Sequence, residues 1–166
     1  GGAEAAVPIA NLLATADVAK GETVFKKCTA CHTIASGGAN GIGPNLWGTV
    51  GKPLGGHAGF AYSDALKTKG GTWTFEALNE WLTNPKKYAP GNKMTFAGLG
   101  NPEERAAVIL YLNSQGSNVP LPAPVAADAA AAPADAAAAP ADGAAPAAAP
   151  ATDAAAAPAP AAAPAK

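Results

Sequence analysis

Cysteine and histidine are scarce in this chain of 166 residues, which holds only two of each. Beyond Cys28, Cys31 and His32 there is only His57. A closed four-ligand zinc site needs two more cysteines or histidines at tight spacing, so none is expected. No run of 18 apolar residues is present, and no helix of this sequence is expected to cross a membrane. No stretch alternates as a strand would, and no βαβ pattern surrounds the two cysteines. That argues against a thioredoxin-type redox pair. There is no initiator methionine and no secretory signal. Gly1-Gly2 therefore reads as a processed or artificial end, with any signal or membrane tether upstream of it. Strong charge of either sign is missing too, the net charge being -1. Residues 1–118 carry ten Lys/Arg against eight Asp/Glu, and no aromatic-basic platform accompanies that small excess. Nucleic acid is excluded as a partner on these grounds.

What the sequence does contain is unevenly spread. Every Trp, Tyr and Phe, the single Met and both His precede Ser117, whereas the chain from Pro120 on is almost wholly Ala, Pro and Asp. Asp128, Asp135 and Asp142 recur every seven residues there. A proline in each unit breaks any helix, and nothing larger than Ala is available to form a seam. The expected organisation is a flexible lead-in over 1–14, a folded domain over 15–118 and a disordered, partly polyproline-II tail over 119–166. The tail reads equally as a spacer or as dispensable.

Within the domain, Thr15 or Asp17 can cap a helix running through Val18, Gly21, Phe25 and Cys28. Gly21 costs such a helix about 1 kcal/mol relative to Ala. Either another backbone passes close there, or it is a tolerated surface glycine. Between Gly37 and Gly59 nine of twenty-three residues are glycine, which suits loops wrapped closely around a flat ligand. Ser63 and Gly70 bracket a short helix. Thr74 caps the next, on which Leu78, Trp81 and Leu82 share a face, and Asn84-Pro85 ends it. Residues 86–100 read as a second loop. Asn101, Pro102, Glu103 and Glu104 start a last helix that stops before Gly116. The fold class is all-α, with about four to five helices and long Gly-rich loops.

Cys28-Thr29-Ala30-Cys31-His32 is the spacing for covalent haem attachment. Each thiol bonds one vinyl-derived carbon, and the adjacent imidazole is brought under the iron. A small, glycine-rich domain is marginal on its own, and a bound porphyrin would complete its core. Met94, the only methionine, lies in a Pro/Gly-rich loop. A core filler is the ordinary role of a methionine; beside a haem motif, axial ligation is the better reading. His57, among glycines, reads as a solvated loop histidine.

Cys28-Thr29-Ala30-Cys31-His32, Gly43-Pro44-Asn45-Leu46, Gly59-Phe60-Ala61-Tyr62-Ser63-Asp64-Ala65, Asn84-Pro85-Lys86-Lys87-Tyr88 and Pro90-Gly91-Asn92-Lys93-Met94-Thr95-Phe96-Ala97-Gly98 follow one another in this sequence. In that order they resemble the class I cytochromes c, of the mitochondrial-like and bacterial cytochrome c2 type, including membrane-anchored bacterial relatives. The resemblance spans about residues 17–115. It implies that His32 and Met94 are axial ligands and that Cys28 and Cys31 are thioether anchors. It further implies that the Pro44 carbonyl accepts a hydrogen bond from the ligand imidazole, and that Tyr62 and Trp73 bond a haem propionate. Gly21, Phe25 and Tyr111 would form the crossing of the first and last helices. Three positions depart from the pattern. Trp81 stands where a tyrosine is usual near the methionine sulfur, Leu66 where asparagine is common, and Lys52 where an arginine usually neighbours a propionate.

Lys26, Lys27, Lys86, Lys87 and Lys93 flank the two ligand segments and could rim one exposed haem edge, steering the protein to acidic docking sites. Together these features lead us to expect a monomeric one-electron carrier rather than an enzyme, with one covalent haem c, working in the periplasm or another extracytoplasmic compartment. The resemblance implies traffic from a quinol-oxidising complex to a terminal oxidase or other reductase. The rival readings are a haem enzyme or gas sensor with an open sixth site, and the electron-entry module of a larger enzyme.

Overall fold

The computed structural model describes residues 7–126. Six α-helices run in order: α1 (Ile9–Thr15), α2 (Val18–Phe25), α3 (Asp64–Lys69), α4 (Phe75–Thr83), α5 (Pro85–Tyr88) and α6 (Pro102–Leu112), the last continuing into a wide turn, Asn113–Ser117. Among the described residues the single β pairing is an isolated bridge between Pro53 and Thr72. The expected all-α class is the observed one.

Local chemistry explains most helix ends. Asp17, not Thr15, caps α2, its Oδ1 accepting from the Ala19 and Lys20 amides at 2.7 and 3.2 Å. Thr74 caps α4 through the Ala77 amide at 3.0 Å. Asn101 caps α6 by accepting from Glu103 and Glu104 at 2.8 and 3.2 Å, with Pro102 supplying a first position that needs no donor. Two expectations shift slightly. The α2 helix ends at Phe25 rather than reaching Cys28, because the Cys28 amide bonds back only three residues, to Phe25 at 2.7 Å. The loop expected over 86–100 opens with one helical turn, α5, whose Lys87 amide is taken by Asn84 Oδ1 at 3.0 Å.

The helices pack around α6, on which Ile109 is fully buried and Val108 and Ala106 nearly so. Helix α2 crosses it where Gly21 faces the backbone of Ala107. Beside that point Phe25 and Tyr111 meet with ring centroids 5.3 Å apart. Of the two readings of Gly21, close approach of a backbone is the one the structure shows. Arg105 ties α6 to α4, its Nε donating to Asn79 Oδ1 at 2.9 Å and a terminal guanidinium nitrogen to the Leu99 carbonyl at 2.7 Å.

The boundaries expected at residues 14 and 118 need correction. Residues 9–14 are not a loose lead-in: they form most of α1, and Ile9, Ala10 and Leu13 are buried. Pro8 offers α1 no side-chain cap, so the helix depends on burial against its neighbours and left no local signal. Nor does the ordered chain stop at Asn118. Val119 packs on the core, and the Asn113 amide grips both its carbonyl and its N–H at 2.9 Å. Asn11 of α1 holds Val125 in the same two-bonded way, at 2.9 and 2.7 Å. The disorder and the seven-residue repeat expected farther along the tail fall in 127–166, outside the described residues.

The Gly21 contact has a clear energetic consequence. In an open helix Gly→Ala gains about 1 kcal/mol. Here a Cβ would overlap the Ala107 carbonyl, a backbone atom that no rotamer change can move. Gly21→Ala should therefore destabilise the protein by roughly 1–3 kcal/mol, as overpacking does. Denaturant unfolding would show this as a lowered midpoint.

Candidate functional site

The chemistry-bearing segments are built from turns. After Phe25 the chain coils once more, with the Cys31 and His32 amides both bonding to the Cys28 carbonyl at 3.1 and 2.9 Å. This turn brings the side chains of Cys28, Cys31 and His32 to one surface of the molecule, where all three line a cavity of about 390 Å3. Such a volume lies in the range of pockets that bury a cofactor-sized ligand.

The His32 ring is fixed by its own sequence neighbourhood. Its Nδ1 lies 2.8 Å from the Pro44 carbonyl oxygen. A carbonyl only accepts, so Nδ1 carries the hydrogen and Nε2 keeps a free lone pair. Burial lowers the pKa of this histidine, against the pull of the Pro44 hydrogen bond. The neutral form that an electrophile needs is therefore favoured. Its contribution to stability is present above the usual histidine range and is lost as pH falls below it. Gly43 is required beside the ring, because a Cβ there would overlap the imidazole. Asn45, 3% exposed, holds this loop in place. It donates to Thr33 Oγ1 at 2.7 Å and the Ala35 carbonyl at 3.0 Å, and accepts from the Trp47 amide at 2.9 Å.

Met94 enters the same cavity from the second loop. Asn92 organises that loop: its amide donates to the Pro85 and Ala89 carbonyls, both at 2.8 Å, while its Oδ1 accepts from the Met94 amide at 2.8 Å. Around the remaining wall stand Trp73 and Trp81, with centroids 5.6 Å apart, backed by Tyr88 at 6.1 and 5.9 Å. Tyr62 also lines the cavity, with Phe60 edge-on at 4.9 Å. Its hydroxyl is pushed above the usual tyrosine range by burial, with the His57 backbone pulling the other way.

The structure thus brings Cys28, Cys31, His32, Pro44, Tyr62, Trp73, Trp81 and Met94 to one cavity. Lys52 is the exception among the expected residues. It is exposed, does not line the cavity, and donates from Nζ to the Trp47 carbonyl at 3.1 Å. The turn that carries it brings one of the three ammonium donors back onto its own backbone. His57 likewise stays off the cavity wall.

Three contributors had no role assigned from sequence: Asn45, Asn92 and Ser63. The asparagines sit in Gly/Pro-rich loops, where this residue type closes turns with its side chain. In the sequence Ser63 only brackets a helix. It is 6% exposed, lines the cavity, and its Oγ is the one buried side-chain polar atom without a partner among the described residues.

These residues fit a covalently held haem. A buried hydroxyl with no protein partner asks for one from a ligand. The imidazole offers an unshared Nε2, and the walls are mostly apolar. The cysteines are free. Burial, then the neighbouring Cys31, raises the Cys28 thiol above its usual range, with Lys27 opposing. Reactive redox dithiols have lowered values instead, so the arrangement speaks against thiol–disulfide exchange.

Fold and site together define a single-haem c-type cytochrome. The family model described as Cytochrome c matches residues 18–116, and the chain belongs to that family. It is 54% identical over 129 residues to a cytochrome c homolog of Bradyrhizobium diazoefficiens, covering 76% of this chain and 70% of that protein. It is 47% identical over 107 residues to a cytochrome c2 of Agrobacterium tumefaciens, covering 63% of this chain and 96% of the other. The solved structure of cytochrome cH from Methylobacterium extorquens superposes with a TM-score of 0.56 at 44% identity, covering 59% of this chain and 98% of its own. The resemblance to class I cytochromes c is established, and with it a covalently bound haem c and the coarse role of haem electron carrier.

Two substitutions probe the site. In the haem-loaded protein Ser63→Ala should cost about 1 kcal/mol in thermal or denaturant unfolding, by removing a hydrogen bond to the bound group. Were Ser63 unpartnered there as well, the same change would be neutral or stabilising. Asn92→Ala should leave the fold in place but loosen the Met94 loop. Faster and tighter binding of added imidazole or cyanide than in the wild type would register that.

Proposed function

We propose that the protein is a one-electron shuttle between respiratory complexes, taking electrons from a quinol-oxidising complex and delivering them to a terminal oxidase or another reductase outside the cytoplasm. In this reading Cys28 and Cys31 would anchor the haem, His32 and Met94 would hold its iron, and Tyr62 and Trp73 would bond its propionates. When bound, haem supplies a one-electron iron couple. The observation that carries the proposal is that two potential iron ligands reach one cavity from separate loops, each loop pinned by hydrogen bonds.

The chain's own residues fit that task. Pro44 keeps the His32 ring in one tautomer and one orientation. Asn92 fixes the backbone at Met94, so a thioether is presented without a loop having to close first. A soft thioether opposite an imidazole favours the reduced state and raises the potential. Buried Leu66, Trp73, Leu78, Trp81 and Leu82 keep water from the cavity wall. A site in which His32 and Met94 would both hold the iron suits electron transfer with little rearrangement and would leave no position for substrate. The same feature favours a carrier over a haem enzyme or gas sensor.

Partners are proposed from charge. Lys26, Lys27, Lys86, Lys87 and Lys93 are all exposed, and Lys27 and Lys93 line the cavity itself. Lys27 also pairs with Glu104 at 3.0 Å. The positive rim is suited to an acidic docking face, in a contact as small and short-lived as electron-transfer encounters are. The c2 relatives support an extracytoplasmic location, and among the described residues no helix is long and apolar enough to cross a membrane.

A redox titration followed by absorption tests the ligand set. The wild type should show the sulfur-to-iron band when oxidised and should not bind carbon monoxide promptly when reduced. Met94→Ala should lose that band, drop the potential and take up carbon monoxide. Unchanged electrochemistry in Met94→Ala would remove Met94 from the site.

A further inference from the structure

Two segments outside the span matched by the family are fastened to one another. Helix α1 precedes residue 18, and the stretch 119–125 follows residue 116. Helix α1 is weak by itself. It has seven residues and no side-chain cap, and a helix so short does not hold in water without packing. It lies against α4 and α6, with Ile9 and Leu13 buried. A second tie is Asn11. Its backbone N–H donates to the Pro8 carbonyl at 2.9 Å. Its side chain donates to the Val125 carbonyl at 2.9 Å and accepts from the Val125 N–H at 2.7 Å. One residue thus joins the start of α1 to a point 114 positions along the chain.

The segment that reaches Asn11 has the composition for the task. Pro120, Pro122 and Pro124 alternate with Leu121, Ala123 and Val125. Proline fixes its own φ and has no N–H to satisfy, so such a stretch needs no strand neighbour and has less entropy to lose when fastened. Both ends are held by the same device. Asn113 bonds both backbone groups of Val119 at 2.9 Å, and Asn11 does the same for Val125. The segment starts on the haem side of the molecule: Leu112 lines the cavity, and the Gln115 carbonyl accepts from the Gly48 amide at 2.7 Å. No residue of α1 or of 119–125 lines it. The chain is therefore carried from the cavity to α1 before it continues past residue 126.

We propose that residues 119–125 are a strap with Asn11 as its clasp: closed, it fastens α1 to the domain and roots the Ala/Pro-rich tail at α1, off the haem cavity. Opening the clasp frees α1 and the root of the tail together, while the haem-binding core stays folded. This holds whatever the electron partners are. The two bonds at Val125 are exposed, and exposed hydrogen bonds open at low cost. Helix propensity acts in the opposite direction at this position. Alanine is a better helix former than asparagine, so Asn11→Ala would strengthen α1 if propensity alone counted. A loss of order in α1 on that change comes from the clasp.

The test is amide hydrogen exchange on the full haem-loaded chain, together with the motion of a nitroxide attached through Ala126→Cys. With Cys28 and Cys31 taken up by haem, that thiol alone would accept the label. Asn11→Ala should speed exchange in 9–16 about tenfold, the size of one net hydrogen bond lost, and leave 102–112 as in the wild type. Val125→Pro removes an N–H without touching α1 and should do the same. The double variant should be no worse than either single change. In both single variants the label should tumble several-fold faster than beside the intact clasp. Visible spectra like those of the wild type would show that the haem site has formed. If exchange in α1 is unchanged or slowed by Asn11→Ala, the helix stands by its own packing and the strap assignment falls. If the label is as free beside Asn11 as in the variants, the root of the tail is not fixed, and the assignment falls. If 102–112 loses protection as far as 9–16 does, the segment belongs to one cooperative core rather than a strap, and the assignment again falls.

Discussion

An imidazole has two nitrogens, and the carbonyl of Pro44 claims one of them. That 2.8 Å hydrogen bond decides which nitrogen is left for a metal, how the ring is turned, and which protonation state is useful. It also dictates much of the surrounding sequence. Position 43 must lack a side chain, because a Cβ would strike the ring. Pro44 must hold its carbonyl still, and Asn45 does this for the loop by bonding at both ends of its amide. The cysteines then need only follow from the preceding turn. Without the Pro44 contact the histidine could still face the cavity, but neither its tautomer nor its angle would be set.

Asparagine amides do the same mechanical work in four places. Asn45 fixes the loop around His32, and Asn92 fixes the loop before Met94. Asn113 and Asn11 hold Val119 and Val125 by both backbone groups. A domain with short helices and few paired strands has many loop N–H and C=O groups to satisfy. An amide side chain offers a donor and an acceptor together, so it can stand in for a strand neighbour. The site is therefore rigid for reasons of hydrogen bonding as well as packing. A bound haem would complete the apolar side, against a wall that includes Phe25, Leu66, Leu78, Leu82 and Val108.

How far the sequence foretold this follows the range of the interactions. The attachment pentapeptide, the α6 start and the Thr74 cap are local chemistry, and all were legible. The helix crossing at Gly21 was open between two readings on residues alone, and only the resemblance favoured contact. Helix α1 was missed because nothing local marks it; it exists through burial of Ile9 and Leu13 against distant helices. The boundary at residue 118 failed for a related reason. Val119 and Val125 are held by asparagines six and 114 positions away, and composition alone cannot show that. Lys52 was placed by analogy with an arginine. A guanidinium presents several donors in a fixed fork, whereas a lone ammonium is a single flexible point. In this structure it takes the nearest carbonyl, that of Trp47. Ser63 went unassigned because its orphaned hydroxyl is visible only once burial is known.

The start of α6 shows stability and surface charge being set by the same side chains. Glu103 and Glu104 sit in its first turn, where the helix dipole favours carboxylates by up to about 1 kcal/mol each. From there they reach Lys20 and Lys27 on and just beyond α2. Exposed pairs of this kind add little to stability. What they change is the distribution of charge, because Lys27 is paired with Glu104 while, among the described residues, Lys86, Lys87 and Lys93 have no such neighbour. The first turn of the terminal helix thus leaves the unpaired positive charge weighted toward the methionine loop. The helix crossing that Gly21 permits is what brings α2 close enough for this to happen. The packing that builds the haem cavity and the field that an approaching partner meets are in this way tied to one contact between two helices.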